Sequence, residues 1–130
     1  MELNTGIKGF KELTVTPELT AAALGSGLLP VYATPAMVAL MEETAATSVQ
    51  PCLPEGQGTV GTLLELKHLS ATPVGLKVYC ETELVEIDRR RLVFEFRCRD
   101  EAGLIGEGRH ERFIIKNESF MEKAKAKACN

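Results

Sequence analysis

Between Pro35 and Val49 the chain reads PAMVALMEETAATSV, a helix-like stretch without a single lysine or arginine. A helix lying on the surface of a domain keeps a polar stripe along one side. This one is apolar or small nearly all round, interrupted by the adjacent Glu42 and Glu43, so it has to be buried on most sides. Thr34 and Pro35 supply a start, since threonine is a good N-cap and proline is tolerated at the first helical position. Pro51 stops the helix just after Val49.

The rest of the chain supplies a sheet. Residues 9–16 alternate well enough for a strand, and Pro17-Glu18-Leu19 opens a short helix that ends near Gly25-Ser26-Gly27. After the turn-rich QPCLPEGQG, four extended segments follow at residues 59–69, 76–87, 91–99 and 104–116, the last three forming a meander. Leu92, Phe94, Phe96 and Cys98 alternate with Val93, Glu95, Arg97 and Arg99, the period-two pattern of a sheet with one buried face. Turns are expected at residues 88–90 and 100–103, and a short charged helix over residues 118–127 closes the chain.

A length of 130 residues suits one domain, taken here as residues 1–130. Strand, long helix and four mostly antiparallel strands make an α+β two-layer arrangement. A five-stranded sheet covers only one side of this mostly apolar helix. The simplest cover for the other is a second copy of the chain, so a homodimer is expected.

Composition excludes several functions. A net charge of -3, with no basic cluster larger than Arg89-Arg90-Arg91, argues against a nucleic-acid partner. The most apolar stretch, residues 28–41, is too short to span a bilayer, and no basic, apolar leader opens the chain, so a cytoplasmic protein without a membrane partner is expected. Cys52, Cys80, Cys98 and Cys129 lack Cys-x-x-Cys spacing, which predicts reduced thiols and no metal site. No cofactor is indicated.

The two glutamates carry the chemistry. Glu42 has Val38, Ala39, Ala45 and Ala46 as its helical neighbours and no cation nearby in sequence, and a buried unpaired carboxylate is costly. The alternative is a glutamate that reaches solvent or pairs with an arginine from elsewhere. His68 lies on the strand face that also carries Thr62, Leu64 and Leu66, the more apolar face. A helix packed there would let His68 converge with a helix glutamate.

The stretches VYATPAMVALMEETA, GTVGTLLELKHLSATPVG and IGEGRHERFII resemble the fluoroacetyl-CoA thioesterase-like family of hotdog-fold proteins, over about residues 31–116. The resemblance implies a hotdog dimer with an acyl-CoA substrate bound near the subunit interface. It assigns catalytic roles to Thr34, Glu42 and His68, and a backbone contact to Gly61. Aromatic lid residues discriminate for the fluorinated acyl group in the family's named member. In this chain the loop ALGSGLLPVYA offers only Tyr32 as an aromatic, a candidate substrate contact, so a small acyl-CoA is expected without the fluoroacetyl specificity being carried over.

Thr34 and Glu42 are separated by about 12 Å of helical rise if Thr34 caps a regular helix. Either the helix starts later, or substrate lies between them, or partners come from the other subunit. The chemistry expected is thioester hydrolysis, with Glu42 as nucleophile or water-activating base, His68 moving protons, and Thr34 with backbone N–H groups polarising the carbonyl. Glu43 is the substitute carboxylate if the register slips. A non-catalytic acyl-CoA binder is the alternative. A hydratase is disfavoured because neither His68 nor His110 has an aspartate five residues before it.

Three smaller expectations follow. Gly106, Gly108, His110 and Arg112 share one strand face, where the glycines suggest close approach by the helix or a ligand and His110 is expected to bond across the sheet. Arg89, Arg90 and Arg91 form a solvated hairpin tip. A three-residue turn there sets Ile87 opposite Arg91 and Cys80 opposite Cys98.

Overall fold

Alternation in LVFEFRCR is realised from Phe94 onward: Leu92, Phe94, Phe96 and Cys98 are buried, while Glu95, Arg97 and Arg99 face outward and Val93, expected with them, is buried as well. The computed structural model, which describes residues 1–129 apart from the Cys129 side chain, continues this pattern into one antiparallel five-stranded sheet. Its strands are β1 (Lys8–Thr14), β2 (Gln57–His68), β3 (Lys77–Asp88), β4 (Arg91–Asp100) and β5 (Gly103–Lys116), in spatial order β1-β3-β4-β5-β2. The helices are α1 (Ala21–Leu24), α2 (Thr34–Val49) and α3 (Asn117–Ala126).

Helix α2 packs on the inner face of the sheet. Met37, Leu40 and Met41 join Val78, Cys80, Phe96 and Cys98 in one apolar cluster, and Ala45 and Val49 join Leu84, Leu92 and Phe94 in a second. Full burial of a large apolar side chain contributes about 1.5–3 kcal/mol, so contacts along its whole length fix the helix in register with the sheet. Gly106 admits it: a Cβ there would come within 2.6 Å of the Met37 sulfur. Gly108 instead faces the Glu65 carbonyl of β2. On the opposite side of α2, Pro35, Ala39, Glu43 and Thr47 are exposed.

The start of α2 differs from expectation. Thr34 is its first helical residue rather than its cap; Ala33 takes the cap position with no side-chain hydrogen bond, and Pro35 follows in the first turn. The segment before it is held by bridges pairing Thr20 with Tyr32 and Val31 with Pro73, and by the Tyr32 N–H donating to the Thr72 carbonyl. These fasten the helix start beside the connection that leaves β2.

Two irregularities set the register. Cys80 does lie opposite Cys98, and both thiols are free and buried. The turn that produces this is shorter than expected: Asp88 pairs with Arg91 and Ile87 with Leu92, with Arg89 at a left-handed φ of 59°. A bulge between Leu84 and Glu86 then restores the offset. The second bulge, between Gly61 and Leu63 on β2, bears on the site.

Candidate active site

Two groups of polar side chains lie at different points along α2. At its start, Thr34 Oγ1 is 2.7 Å from His68 Nδ1. That contact exists because Thr34 does not cap the helix and because His68 ends β2 on the inner face, paired with Gly106. His68 Nε2 is buried and makes no hydrogen bond among the described residues.

The second group lies two turns along, where Arg112 Nη1 donates to Glu42 Oε2 at 3.1 Å. The same nitrogen is 3.1 Å from His110 Nε2, Arg112 Nε donates to Thr59 Oγ1 at 2.8 Å, and Nη2 donates to the Thr59 carbonyl at 2.9 Å. His110 is almost fully buried, and its Nδ1 is 2.8 Å from the Leu63 carbonyl of the neighbouring strand. Burial, reinforced by the Arg112 charge, holds its imidazole below the ordinary histidine range. Burial likewise lowers the Arg112 guanidinium, with the Glu42 carboxylate opposing that shift.

The bulge in β2 makes this group possible. Leu64, Leu66 and His68 keep one parity, but Thr62 is the extra residue at the bulge, so Gly61 and Thr59 come round to the inner face instead. Gly61 then sits directly against the Glu42 carboxylate. A Cβ at that position would overlap Glu42 Oε2 and come within 3.2 Å of His110 Cε1 and 3.4 Å of Arg112 Nη1.

Residues 15–118 match the family described as fluoroacetyl-CoA-specific thioesterase. The chain belongs to that family. A fluoroacetyl-CoA thioesterase from Streptantibioticus cattleyicolor is 39% identical over 97 residues, covering 75% of this chain and 70% of the relative. A solved structure of a fluoroacetyl-CoA thioesterase superposes with a TM-score of 0.93 at 32% identity, covering 98% of each chain. A hot-dog-like protein from Thermanaerovibrio acidaminovorans, 21% identical with a TM-score of 0.87 over 95% of this chain and 91% of its own, shares the fold. The sheet and central helix are thus a hotdog-like thioesterase fold.

Within this thioesterase chain the expected site residues separate into those two groups. Thr34 and His68 meet, and Glu42 and Gly61 meet, but Glu42 contacts His110 and Arg112 rather than His68. Glu42 is also not an unpaired carboxylate: its cation comes from β5, seventy residues away in sequence. Glu43 is exposed. Tyr32 lies in the core at 1% exposure beside Cys80 and Cys98, its hydroxyl buried without a hydrogen-bond partner among the described residues and its ionisation pushed up by that burial. Arg91 is taken up by Glu111 and Glu86 at 2.8 and 3.0 Å.

Sequence reasoning missed Arg112 and Thr59. Arg112 shares the inward parity of Gly106, Gly108 and His110, and a guanidinium on a buried sheet face requires an acceptor. Thr59 carried no such signal, because only the bulge turns it inward.

Proposed function

We propose that this chain hydrolyses a small acyl-CoA thioester, working as a cytoplasmic homodimer of one hotdog domain over residues 1–130, with Thr34, Glu42 and His68 at a site near the subunit interface. Thioester hydrolysis follows from its membership of the thioesterase family. The observation that carries the site assignment is the pairing of each reactive side chain with a fixed partner, Thr34 with His68 and Glu42 with Arg112.

The geometry supports a division of labour. Glu42 takes a proton from water as the water oxygen attacks the thioester carbonyl carbon. Negative charge on the carbonyl oxygen is met by backbone N–H groups in the first turn of α2. With Thr34 as the donor to His68 Nδ1, the proton of the neutral ring lies on Nε2, the atom that makes no hydrogen bond among the described residues. That N–H donates a hydrogen bond to the CoA sulfur as the carbon–sulfur bond breaks, and the departing thiolate takes up, through solvent, the proton that Glu42 gained from water, giving a carboxylic acid and the free thiol and returning Glu42 to its starting state.

About 12 Å of helix separates Thr34 from Glu42, and pairing of two chains resolves that distance by setting Glu42 of the partner subunit against Thr34 and His68. The outer backbone edge of β2, the half-exposed Leu63 and Leu64, and an outer stripe of α2 on which Glu43 is the one charged residue favour such a pairing. The proposal leaves Tyr32 in the core and assigns Gly61 the space that the Glu42 carboxylate occupies.

Glu42→Gln tests the assignment. Glutamine keeps the size of the side chain and can still accept from Arg112, but it takes no proton from water. Turnover of a panel of short acyl-CoAs is expected to fall by about 10²–10⁴, with CoA-ester binding retained. Glu43→Gln is expected to stay near wild type. Equal hydrolysis by wild type and Glu42→Gln would remove Glu42 from the chemistry, and binding without turnover in the wild type would make the chain an acyl-CoA binder.

A further inference from the structure

We propose that His110 is a positioning residue for Glu42: as the neutral Nδ1–H tautomer it accepts one Nη1–H of Arg112, which aims the other Nη1–H at the Glu42 carboxylate. The inference rests on the reading in which Glu42 acts on the thioester.

Hydrogen-bond inventory alone fixes the tautomer. A carbonyl oxygen only accepts, so at 2.8 Å from the Leu63 carbonyl, His110 Nδ1 carries a proton and donates it. A neutral imidazole protonated there has its lone pair on Nε2. Arginine has only donors, so the 3.1 Å approach of Arg112 Nη1 to Nε2 is an N–H given to that lone pair. Arg112 is also anchored through Nε and Nη2 on the side chain and carbonyl of Thr59. Its fork is therefore fixed by three acceptors that do not include Glu42, and the remaining Nη1–H meets Glu42 Oε2 at 3.1 Å.

Orientation matters here because the Glu42 side chain is 41% exposed and would otherwise sample several rotamers. Protonating His110 would undo the arrangement. A second N–H would face Arg112, and the anion nearest to His110 Nε2 would be the same Glu42 oxygen, 3.7 Å away. The charged groups around the ring are Arg112 and Glu111 on β5 and Glu42 on α2. From β2 it meets the Leu63 carbonyl and Gly61, and from β4 the Phe94 ring at 6.3 Å. Burial and Arg112 keep the imidazole neutral to lower pH than usual, so the arrangement holds at neutral pH and fails on acidification.

Nitrogen-15 spectra of the histidine rings in the wild-type protein test the tautomer directly. At neutral pH His110 should carry its proton on Nδ1; an Nε2–H tautomer or an imidazolium would overturn the proposal. In kinetics, His110→Leu is expected to lower kcat by about ten- to a hundredfold with little change in KM. His110→Gln, whose side-chain carbonyl can accept from Arg112, should recover most of that loss and flatten the acid limb of the kcat profile. A folded His110→Leu protein with wild-type kcat would overturn the proposal. If the leucine variant does not fold, the ring tautomer and the glutamine variant's pH profile still decide it, an unchanged acid limb counting against. Wild-type turnover by Glu42→Gln would overturn the underlying reading instead, whereas an inactive Glu42→Gln beside an active His110→Leu would overturn only the role of His110.

Discussion

At Gly61 the missing side chain has a definite use: the Glu42 carboxylate occupies the volume that a Cβ would fill, with His110 and Arg112 on either side. Gly61→Ala should therefore disturb the site more than the fold. Local overpacking costs about 1–3 kcal/mol, and the partly exposed glutamate is the group most free to move. We expect a modest fall in Tm and a loss of kcat of tenfold or more, about what misplacement of a reacting group produces. Melting curves and steady-state kinetics on the same preparation check this, and a folded Gly61→Ala protein with unaltered kcat would contradict it. The Glu42–Arg112 pair also bears on stability. Removing the carboxylate with a non-hydrogen-bonding residue leaves a mostly buried guanidinium one acceptor short, so the apolar surroundings of Glu42 in the sequence are a poor guide to its energetics.

At the scale of elements, bulges and turns decide which residues face inward. The β3–β4 hairpin turns through Arg89 and Arg90, with Arg89 in the left-handed region that disfavours a side chain. Replacing Arg89 by glycine removes a conformational cost of about 1–2 kcal/mol and adds a smaller entropic one, for a net gain of about 0.5–1 kcal/mol. Chemical denaturation of Arg89→Gly should show the higher midpoint with an unchanged slope, and hydrolysis should be unaffected at this distance from the site. A lower midpoint would mean that the arginine side chain contributes more than its backbone costs. The bulge on β2 has the opposite importance, since it supplies Gly61 and Thr59 to Glu42 and Arg112.

At the scale of the molecule, pairing of two chains is the main expectation. Sedimentation should show a dimer at micromolar concentration, and a well-behaved monomer would refute both the pairing and the interface site. Subunit complementation is more discriminating. Thr34→Ala and Glu42→Gln homodimers should each be nearly inactive. Mixed dimers combine an intact Thr34–His68 pair with Glu42 of the partner subunit in one of their two sites. Random mixing should then restore about a quarter of wild-type turnover. No recovery on mixing, with exchange verified by mass, would place the whole site in one subunit.

The sequence by itself determined the α+β order, the apolar α2 and the inward parity of β4 and β5, because these follow from local patterns along the chain, whereas the Cys80–Cys98 pairing came out as expected only because a bulge offset a turn shorter than the one anticipated. It also marked Thr34, Glu42, His68 and Gly61 through the family resemblance. Tertiary structure decided which of them touch. Thr34 was free to bond His68 only once Ala33 became the cap, and Glu42 found its cation on β5 only because a bulge turned Gly61 inward and opened the space between them. Those contacts join residues 34 and 70 positions apart in sequence. No local period encodes such a meeting, since it depends on where two irregularities in the backbone place the ends of long side chains.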